Sequence, residues 1–270
     1  MEILDGKIVA ESIKKNFEER LKASKVKPNI AVLGIKGDNA SDVYIKNIER
    51  NCEKYGIGFN LVMSDNAQEF KENFKEIKND DKFTGIMFQQ PLEFENASLI
   101  NKIPAKKDIE GIGINNIGKL FLGYKDAIVP CTSKAVIEIL EFYKINLEGK
   151  KVVIVGRSNI VGKPLIPQII EKNATVTICH SKTKNIEEEL KIADVIIVAI
   201  GKANFLKKEM IKKDAIIIDV GINFLDGKMC GDVDFNDVKD YVKAITPVPG
   251  GVGVVTNAVL IDNIIKSAQL

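Results

Sequence analysis

The residues best placed to do chemistry lie in the segment Lys151–Pro164, KVVIVGRSNIVGKP. A β-branched, apolar run reaches Gly156, and a glycine-bearing turn then opens a helical pattern. A strand, turn and helix in that order present backbone N–H groups to a phosphate at the helix N-terminus. The turn reads G-R-S-N-I-V-G rather than G-x-G-x-x-G. Gly156 suits the tight turn, Ser158 brings a hydroxyl where a second glycine would allow close backbone approach, and Gly162 falls one residue late. An NAD-type site wants an acidic residue on the next strand to take the ribose 2′-hydroxyl. The next strand here, within ATVTICHSKTK (Ala174–Lys184), has no acid and runs into His180, Ser181, Lys182, Thr183 and Lys184. Arg157 stands in the turn itself. A guanidinium, hydroxyls and ammonium groups suit a 2′-phosphate, which a carboxylate would repel. These residues favour NADP over NAD.

Other chemistries have little material. His180 is the sole histidine, so a His-based acid/base pair or a His-rich metal site is not expected, and His180 reads as a structural residue at a strand end. Cys52, Cys131, Cys179 and Cys230 contain no C-x-x-C spacing, which argues against a zinc site or a disulfide framework and for free thiols in a reducing cytosol. No metal is expected. A formal net charge of +2 over 270 residues gives no case for nucleic acid. The start, MEILDGKIVAESIKK, is charged and amphipathic, unlike a signal peptide. No apolar run reaches membrane-spanning length, so a cytoplasmic, non-membrane protein is expected.

Strands alternating with helices must hold these residues, which predicts parallel sheets and an α/β fold. In the first half, Ile8, Val9, Ile13, Phe17 and Leu21 recur at helical spacing. Strands are expected at 29–35, 59–63 and 85–88, and helices at 40–55 (closed by Gly56), 68–78 and 97–102. The stretch 104–130, rich in Gly, Asn and Lys, reads as irregular. A helix follows at 133–143. The second half starts at Lys151, with later strands at 194–199, 215–220 and 244–248, the loop TPVPGGVGVVT, and a final apolar helix at 257–268. Ligands of such sheets bind at the carboxyl ends of strands, which here carry Gln89, Ser158, Ser181, Gly201, Gly221–Asn223 and Gly250–Gly251. A cleft between two α/β domains, with NADP on the second, is the resulting expectation.

These carboxyl-end segments resemble the methylenetetrahydrofolate dehydrogenase/cyclohydrolase family along nearly the whole chain. The matching pieces are ASDVY, QQPL, KDIEG, NNIGKL and PCT, followed by GRSNIVGKP, ATVTICHSKT, ADVIIVAIG, IDVGIN, GDVDF and TPVPGGVG. The resemblance implies an N-terminal folate-binding catalytic domain (1–130, joined by the helix at about 257–270), a Rossmann-like NADP-binding domain (131–256), an active-site cleft between them and a homodimer formed through the nucleotide domains. It implies two reactions on tetrahydrofolate one-carbon derivatives. A hydride leaves the bridge carbon of 5,10-methylenetetrahydrofolate for NADP⁺, giving the methenyl form, and water then opens that ring to 10-formyltetrahydrofolate. By resemblance, Gly156, Arg157, Ser158, Ser181 and Ile222 are the NADP contacts. Tyr44 stacks on the folate, Gln89 is the polar partner beside the catalytic base, and Glu110 holds the pterin amino group.

The chain departs from the family's pattern at telling positions. Tyr-x-x-x-Lys is expected on the first-domain helix, where residues four apart share a face, but Ile48 follows Tyr44. Lys46 lies roughly 160° away around a helix of 3.6 residues per turn. Glu110 replaces an aspartate, Ser133 a proline, and Val254–Val255 a Pro-Met pair, and Ile112–Ile114 diverge. These changes are expected to cluster at the folate pocket. Ile48 can neither give nor take a proton, so hydride transfer is expected to survive and ring opening to be weak or lost. Two other readings compete: another two-domain NADP dehydrogenase of the shikimate or amino-acid type, and a non-catalytic NADP-binding regulator.

Overall fold

The computed structural model describes residues 1–36, 42–89 and 96–270. The chain begins with β1 (Glu2–Ile3), α1 (Gly6–Ala23), β2 (Asn29–Ile35), α2 (Asp42–Tyr55), β3 (Gly58–Ser64), α3 (Ala67–Asn79) and β4 (Gly85–Phe88). It continues with α4 (Asn96–Ile100), α5 (Ile114–Phe121), α6 (Cys131–Phe142), β5 (Lys151–Val155), α7 (Gly162–Ile170), β6 (Thr175–Cys179) and α8 (Ile186–Ile192). The last elements are β7 (Val195–Val198), β8 (Ile216–Asp219), β9 (Asn223–Leu225), β10 (Lys228–Cys230), α9 (Phe235–Val238), β11 (Ala244–Ile245) and α10 (Val252–Ser267). Two compact units result: Met1–Ser12 with Pro130–Val259, the C-terminal unit, and Ile13–Val129 with Leu260–Leu270, the N-terminal unit.

The C-terminal unit is built on a six-stranded sheet in the order β1-β11-β8-β7-β5-β6, parallel at every pairing. Strands β5 and β7 read VVIV and VIIV and are buried along those runs, as a parallel sheet covered on both faces requires. Counted from β5, the order is 2-1-3-4-5, a doubly wound sheet whose strand order reverses between β5 and β7. Val153, Val155, Ile196, Val198 and Ile217 from the strands pack with Leu190, Leu206 and Val238.

Element bounds in this unit differ from expectation in several places. Residues 1–12 pack with this unit, because Glu2 and Ile3 pair with Ala244 and Ile245. Pro247 and Pro249 lack N–H donors, so the strand expected over 244–248 stops at Ile245. Helix α10 starts at Val252, five residues before the expected 257. The hairpin β9–β10 went unforeseen, although Asp226-Gly227 is a turn dipeptide.

In the N-terminal unit the order is β3-β2-β4, all parallel, with the seven-residue register of β2 on β3 running from Asn29↔Gly58 to Ile35↔Ser64. Phe70, Phe74 and Ile77 lie on one face of α3 at spacings of four and three and fill a core with Phe83, Ile86 and Phe88. Helix α1 buries Val9, Ile13 and Phe17, while Ile8 turns out to solvent. Ala40 and Ser41, at the start of the helix expected over 40–55, lie outside the described residues, as does most of QQPL. The stretch expected to be irregular contains helix α5, whose Asn116 is buried and donates to Asp108 and to the Ala105 carbonyl (both 2.9 Å). Lys107, also buried, donates to the Lys78 and Asp80 carbonyls at the end of α3. Its burial pulls its pKa down.

The end of α10 closes this unit. Buried Asn263 donates to the carbonyls of Ile109 and Val129 (both 3.1 Å), and Asp262 pairs with Arg20 of α1. Asn263→Ala should cost about 2 kcal/mol or more, because it strands two main-chain acceptors away from water. A urea titration comparing midpoints at unchanged m-value checks this.

Candidate active site

In the C-terminal unit the glycine turn grows directly from β5. Gly156 has φ +123°, donates to the Cys179 carbonyl (2.8 Å), and leaves no room for a side chain, since a Cβ would lie 2.2 Å from the Ala199 carbonyl oxygen. The turn therefore presses against the end of β7 and binds the end of β6. The Ser158 hydroxyl accepts from Val161 N–H (3.1 Å) and shapes the turn. Gly162, one place later than the motif asks, opens α7, where a Cβ would meet the Gly156 carbonyl at 2.1 Å. Among the described residues, the N–H groups of Arg157, Ser158, Asn159 and Ile160 donate to no protein acceptor. Arg157 is exposed. Ser181 follows β6, where His180 Nδ1 accepts from Lys182 N–H and the Thr183 hydroxyl accepts from His180 N–H. This arrangement fits a nucleotide phosphate: donors unspent, cations beside them and no acid in the turn.

A lock of two carboxylates, missed in the sequence, builds the rest of this rim. Asp219 ends β8, is 3% exposed, and accepts from the N–H groups of Gly221, Asp232 and Val233 (3.0–3.1 Å). Asp232 is wholly buried and accepts from Ile200, Gly201 and Lys202 N–H and the Asn223 side chain (2.7–3.0 Å). Each carboxylate sits where a glycine has no side chain: a Cβ on Gly221 would lie 2.1 Å from Asp232 Cγ, and one on Gly231 1.8 Å from Asp219 Oδ2. Burial pushes Asp219 up to about 6 against those three hydrogen bonds. The segments IDVGIN and GDVDF are thus halves of one device, and paired Asp and Gly were the signal available for it. Ile222, on the loop so fixed, is 55% exposed and not a core residue.

The N-terminal unit brings Gln89 and Glu110 to one place. Gln89 leaves β4, is 3% exposed, and its N–H donates to the Leu33 carbonyl (2.8 Å). A bridge from Ile86 to Asp108 carries the following chain alongside β4, and the Glu110 carboxylate accepts from the Phe88 backbone. Burial, and then repulsion from Asp108, push Glu110 up to about 8 despite that bond. Asp108 is itself buried and accepts from Gly113 N–H (2.8 Å), Ile112 N–H (3.3 Å) and Asn116. Its pKa is raised by burial. The divergent Ile112–Gly113 pair thus serves as amide donors to Asp108.

Tyr44 and Ile48 share α2, which packs on β3. Tyr44 is 38% exposed, whereas Ile48 is 3% exposed and continues a buried seam with Ile45 and Cys52. Burial, reinforced by Glu49, pushes the Cys52 thiol up to about 12. Lys46 is exposed. Ser133 lies in the C-terminal unit, wholly buried. Its hydroxyl donates to the Pro130 carbonyl (2.9 Å) and accepts from Gln168 of α7 (3.1 Å). Val254 and Val255 sit in the same unit.

The raised Glu110 has a sign. Between about pH 4.5 and 8 the folded protein holds a proton there that the unfolded chain has released, so this group lowers stability as pH rises through that window. Relative to wild type, Glu110→Gln should gain stability steadily from pH 5 to 8, read as urea midpoints at several pH values.

Comparison with known proteins gives a consistent result. Residues 4–110 match the catalytic domain of the tetrahydrofolate dehydrogenase/cyclohydrolase family, and residues 130–270 match its NAD(P)-binding domain. A bifunctional protein FolD of Dictyoglomus thermophilum is 44% identical over 275 residues, which cover 99% of this chain and 97% of that protein. A bifunctional FolD methylenetetrahydrofolate dehydrogenase/cyclohydrolase from Campylobacter jejuni superposes with a TM-score of 0.94 at 38% identity, over 100% of this chain and 99% of that one. A Trypanosoma brucei FolD solved with NADP and an inhibitor gives 0.89 at 28% identity, over 99% and 97%. No helix of the described residues is long and apolar enough to cross a membrane.

Proposed function

This chain belongs to the tetrahydrofolate dehydrogenase/cyclohydrolase family, and from that premise we propose that it is an NADP-dependent methylenetetrahydrofolate dehydrogenase with weak or absent cyclohydrolase activity. The observation that carries the second clause is Ile48, a buried hydrocarbon four residues after Tyr44. Bound NADP⁺ supplies the hydride acceptor.

On this reading the protein's own residues divide the work. The amides of Arg157 to Ile160 hold phosphate, and Arg157 and Ser181 take the 2′-phosphate. Ile222 offers its exposed side chain to the cofactor. Tyr44 stacks on the folate, and Gln89 and Glu110 hold its polar edge from the end of β4. A neutral Glu110 both donates and accepts a hydrogen bond, so its raised pKa suits a pterin edge that carries donors and acceptors together. Hydride transfer asks this site for position rather than proton exchange. Ring opening needs a proton carrier at an attacking water, and Ile48 is none. We further propose a cytoplasmic homodimer formed through the C-terminal units. The exposed Phe224, Leu225 and Met229 of the β9–β10 hairpin supply an apolar surface for a second copy. The shikimate and regulator readings have no observation in their favour beyond the altered folate-side residues.

Two measurements test the reading. Decay of 5,10-methenyltetrahydrofolate should be hardly accelerated by enzyme that reduces NADP⁺ with methylenetetrahydrofolate; decay as fast as the dehydrogenase turnover would refute the loss. Ile48→Lys, checked for folding by circular dichroism, should raise ring opening by about tenfold or more, part of the roughly 10²- to 10⁴-fold that acid/base catalysis supplies. Separately, wild type should prefer NADP⁺ to NAD⁺. Arg157→Ala should weaken NADP⁺ by about tenfold or more and leave NAD⁺ unchanged, as isothermal titration would register.

A further inference from the structure

The sheet of the N-terminal unit carries a glycine where a side chain would separate two others. Gly34 is the next-to-last residue of β2, the central strand, and pairs with Met63 of β3. On its other side, the register Leu33↔Phe88 and the bond from Gln89 N–H to the Leu33 carbonyl set Gln89 beside it. Successive side chains point to opposite faces of a sheet. Leu33, Val62 and Phe88 face the α3 core, so Gly34, Met63 and Gln89 share the opposite face. Neighbouring strands run about 4.8 Å apart, so whatever β2 carries keeps the side chains of β3 and β4 roughly 10 Å apart. Here β2 carries only hydrogen, and both neighbours lean into the gap. A Cβ on Gly34 would lie 2.5 Å from Gln89 Oε1, 2.9 Å from Met63 Sδ and 3.1 Å from Met63 Cε. The Gln89 carboxamide therefore lies across the sheet over the Gly34 backbone, 3% exposed, with the Met63 thioether at the far end. Gly34 is not among the glycines of positive φ, so space and not backbone conformation calls for glycine there. A glycine inside a strand costs roughly 0.5–1 kcal/mol relative to alanine, and strands spend that where another group must approach closely.

We propose that Gly34 is a positioning residue: it supplies the slot that holds Gln89 in its working orientation, and Met63 is the stop at the end of that slot. The inference rests on the folate reading above, in which Gln89 holds the substrate's polar edge, and adds what aims Gln89. A loose glutamine side chain surrenders rotamer freedom when it takes a ligand. Seated over Gly34, Gln89 has surrendered it beforehand, and preset geometry is what hydride transfer asks of this site. With Oε1 in the slot, the N–H₂ end of the planar carboxamide is turned away from Gly34. Alanine at position 34 discriminates. The atoms in the way of its methyl are the ends of flexible side chains, so the sheet survives and Gln89 is pushed aside. Gly34 touches no ligand itself; it acts through Gln89.

Steady-state kinetics with methylenetetrahydrofolate and NADP⁺ on wild type, Gly34→Ala, Gln89→Ala and the double variant test this, with folding checked by circular dichroism. Gly34→Ala should lower kcat/KM for methylenetetrahydrofolate by about tenfold and leave KM for NADP⁺ within about twofold. In the Gln89→Ala background the same substitution should change kcat/KM by less than about twofold, because the side chain it displaces is gone. A loss of equal size in both backgrounds overturns the proposal, since a merely structural effect does not depend on Gln89. So does an unchanged kcat/KM in Gly34→Ala. Should Gln89→Ala turn over too slowly to measure, calorimetric titration of the same four proteins with tetrahydrofolate decides, with the same pattern expected in Kd. Should Gly34→Ala fail to fold, Met63→Ala replaces it: opening the far end of the slot should lower kcat/KM by about threefold with Gln89 present and by less than about twofold without it. Equal loss in both then overturns the proposal. A wild type that oxidises no methylenetetrahydrofolate overturns the folate reading, and the role given to Gly34 falls with it.

Discussion

Two buried carboxylates, each ringed by amide donors, set the form of the C-terminal unit's ligand edge. Asp219 and Asp232 accept seven hydrogen bonds from the protein, six of them from backbone N–H groups. A buried charge without such partners costs several kcal/mol. The loops after β7 and β8 and the segment 231–233 therefore cannot relax independently. Moving any one of them removes donors from an ion that water does not reach. That coupling turns three loops into one rigid surface, and rigidity at the rim is what reaction geometry requires.

The N-terminal unit repeats the device on a smaller scale. Asp108 draws Ile112 and Gly113 inward by their amides and takes Asn116 from α5, which in turn receives Ile128 N–H (3.1 Å). The chain between is fixed from both ends, since Asn263 holds the Ile109 carbonyl. Glu110 stands in the middle of this fixed segment. Its neighbour Asp108 is also the repulsive charge that helps keep its proton on. One buried acid thus shapes the backbone and tunes the next acid.

Much of this was legible in the sequence where side chains carry the pattern. Strands β2 and β4 begin and end where expected, because NIAVLGI and GIMF are apolar runs bounded by polar residues. The nucleotide turn was legible for the same reason. Elements defined by partners far along the chain were not. Strand β1 is two residues long and exists only because β11 lies beside it. Helix α5 hid behind Asn and Gly, whose helix propensity is poor, since tertiary bonds to Asn116 outweigh propensity. The carboxylate lock was hidden more deeply. Its donors are main-chain amides, which every residue owns, so only the spacing of Asp and Gly could have betrayed it.

Ile48 shows how a change of chemistry can leave a fold untouched. With Ile45 and Cys52 it forms a seam at spacings of three and four, so an apolar side chain there serves the packing of α2 directly. A lysine at the same place has a hydrocarbon stem that can lie along that seam while its ammonium reaches outward. The two residues are therefore near neighbours in packing and opposites in proton transfer. The fold does not dictate which of them is present, because both satisfy the same burial. Ring opening, on the proposed reading, depends on the one atom by which they differ in kind.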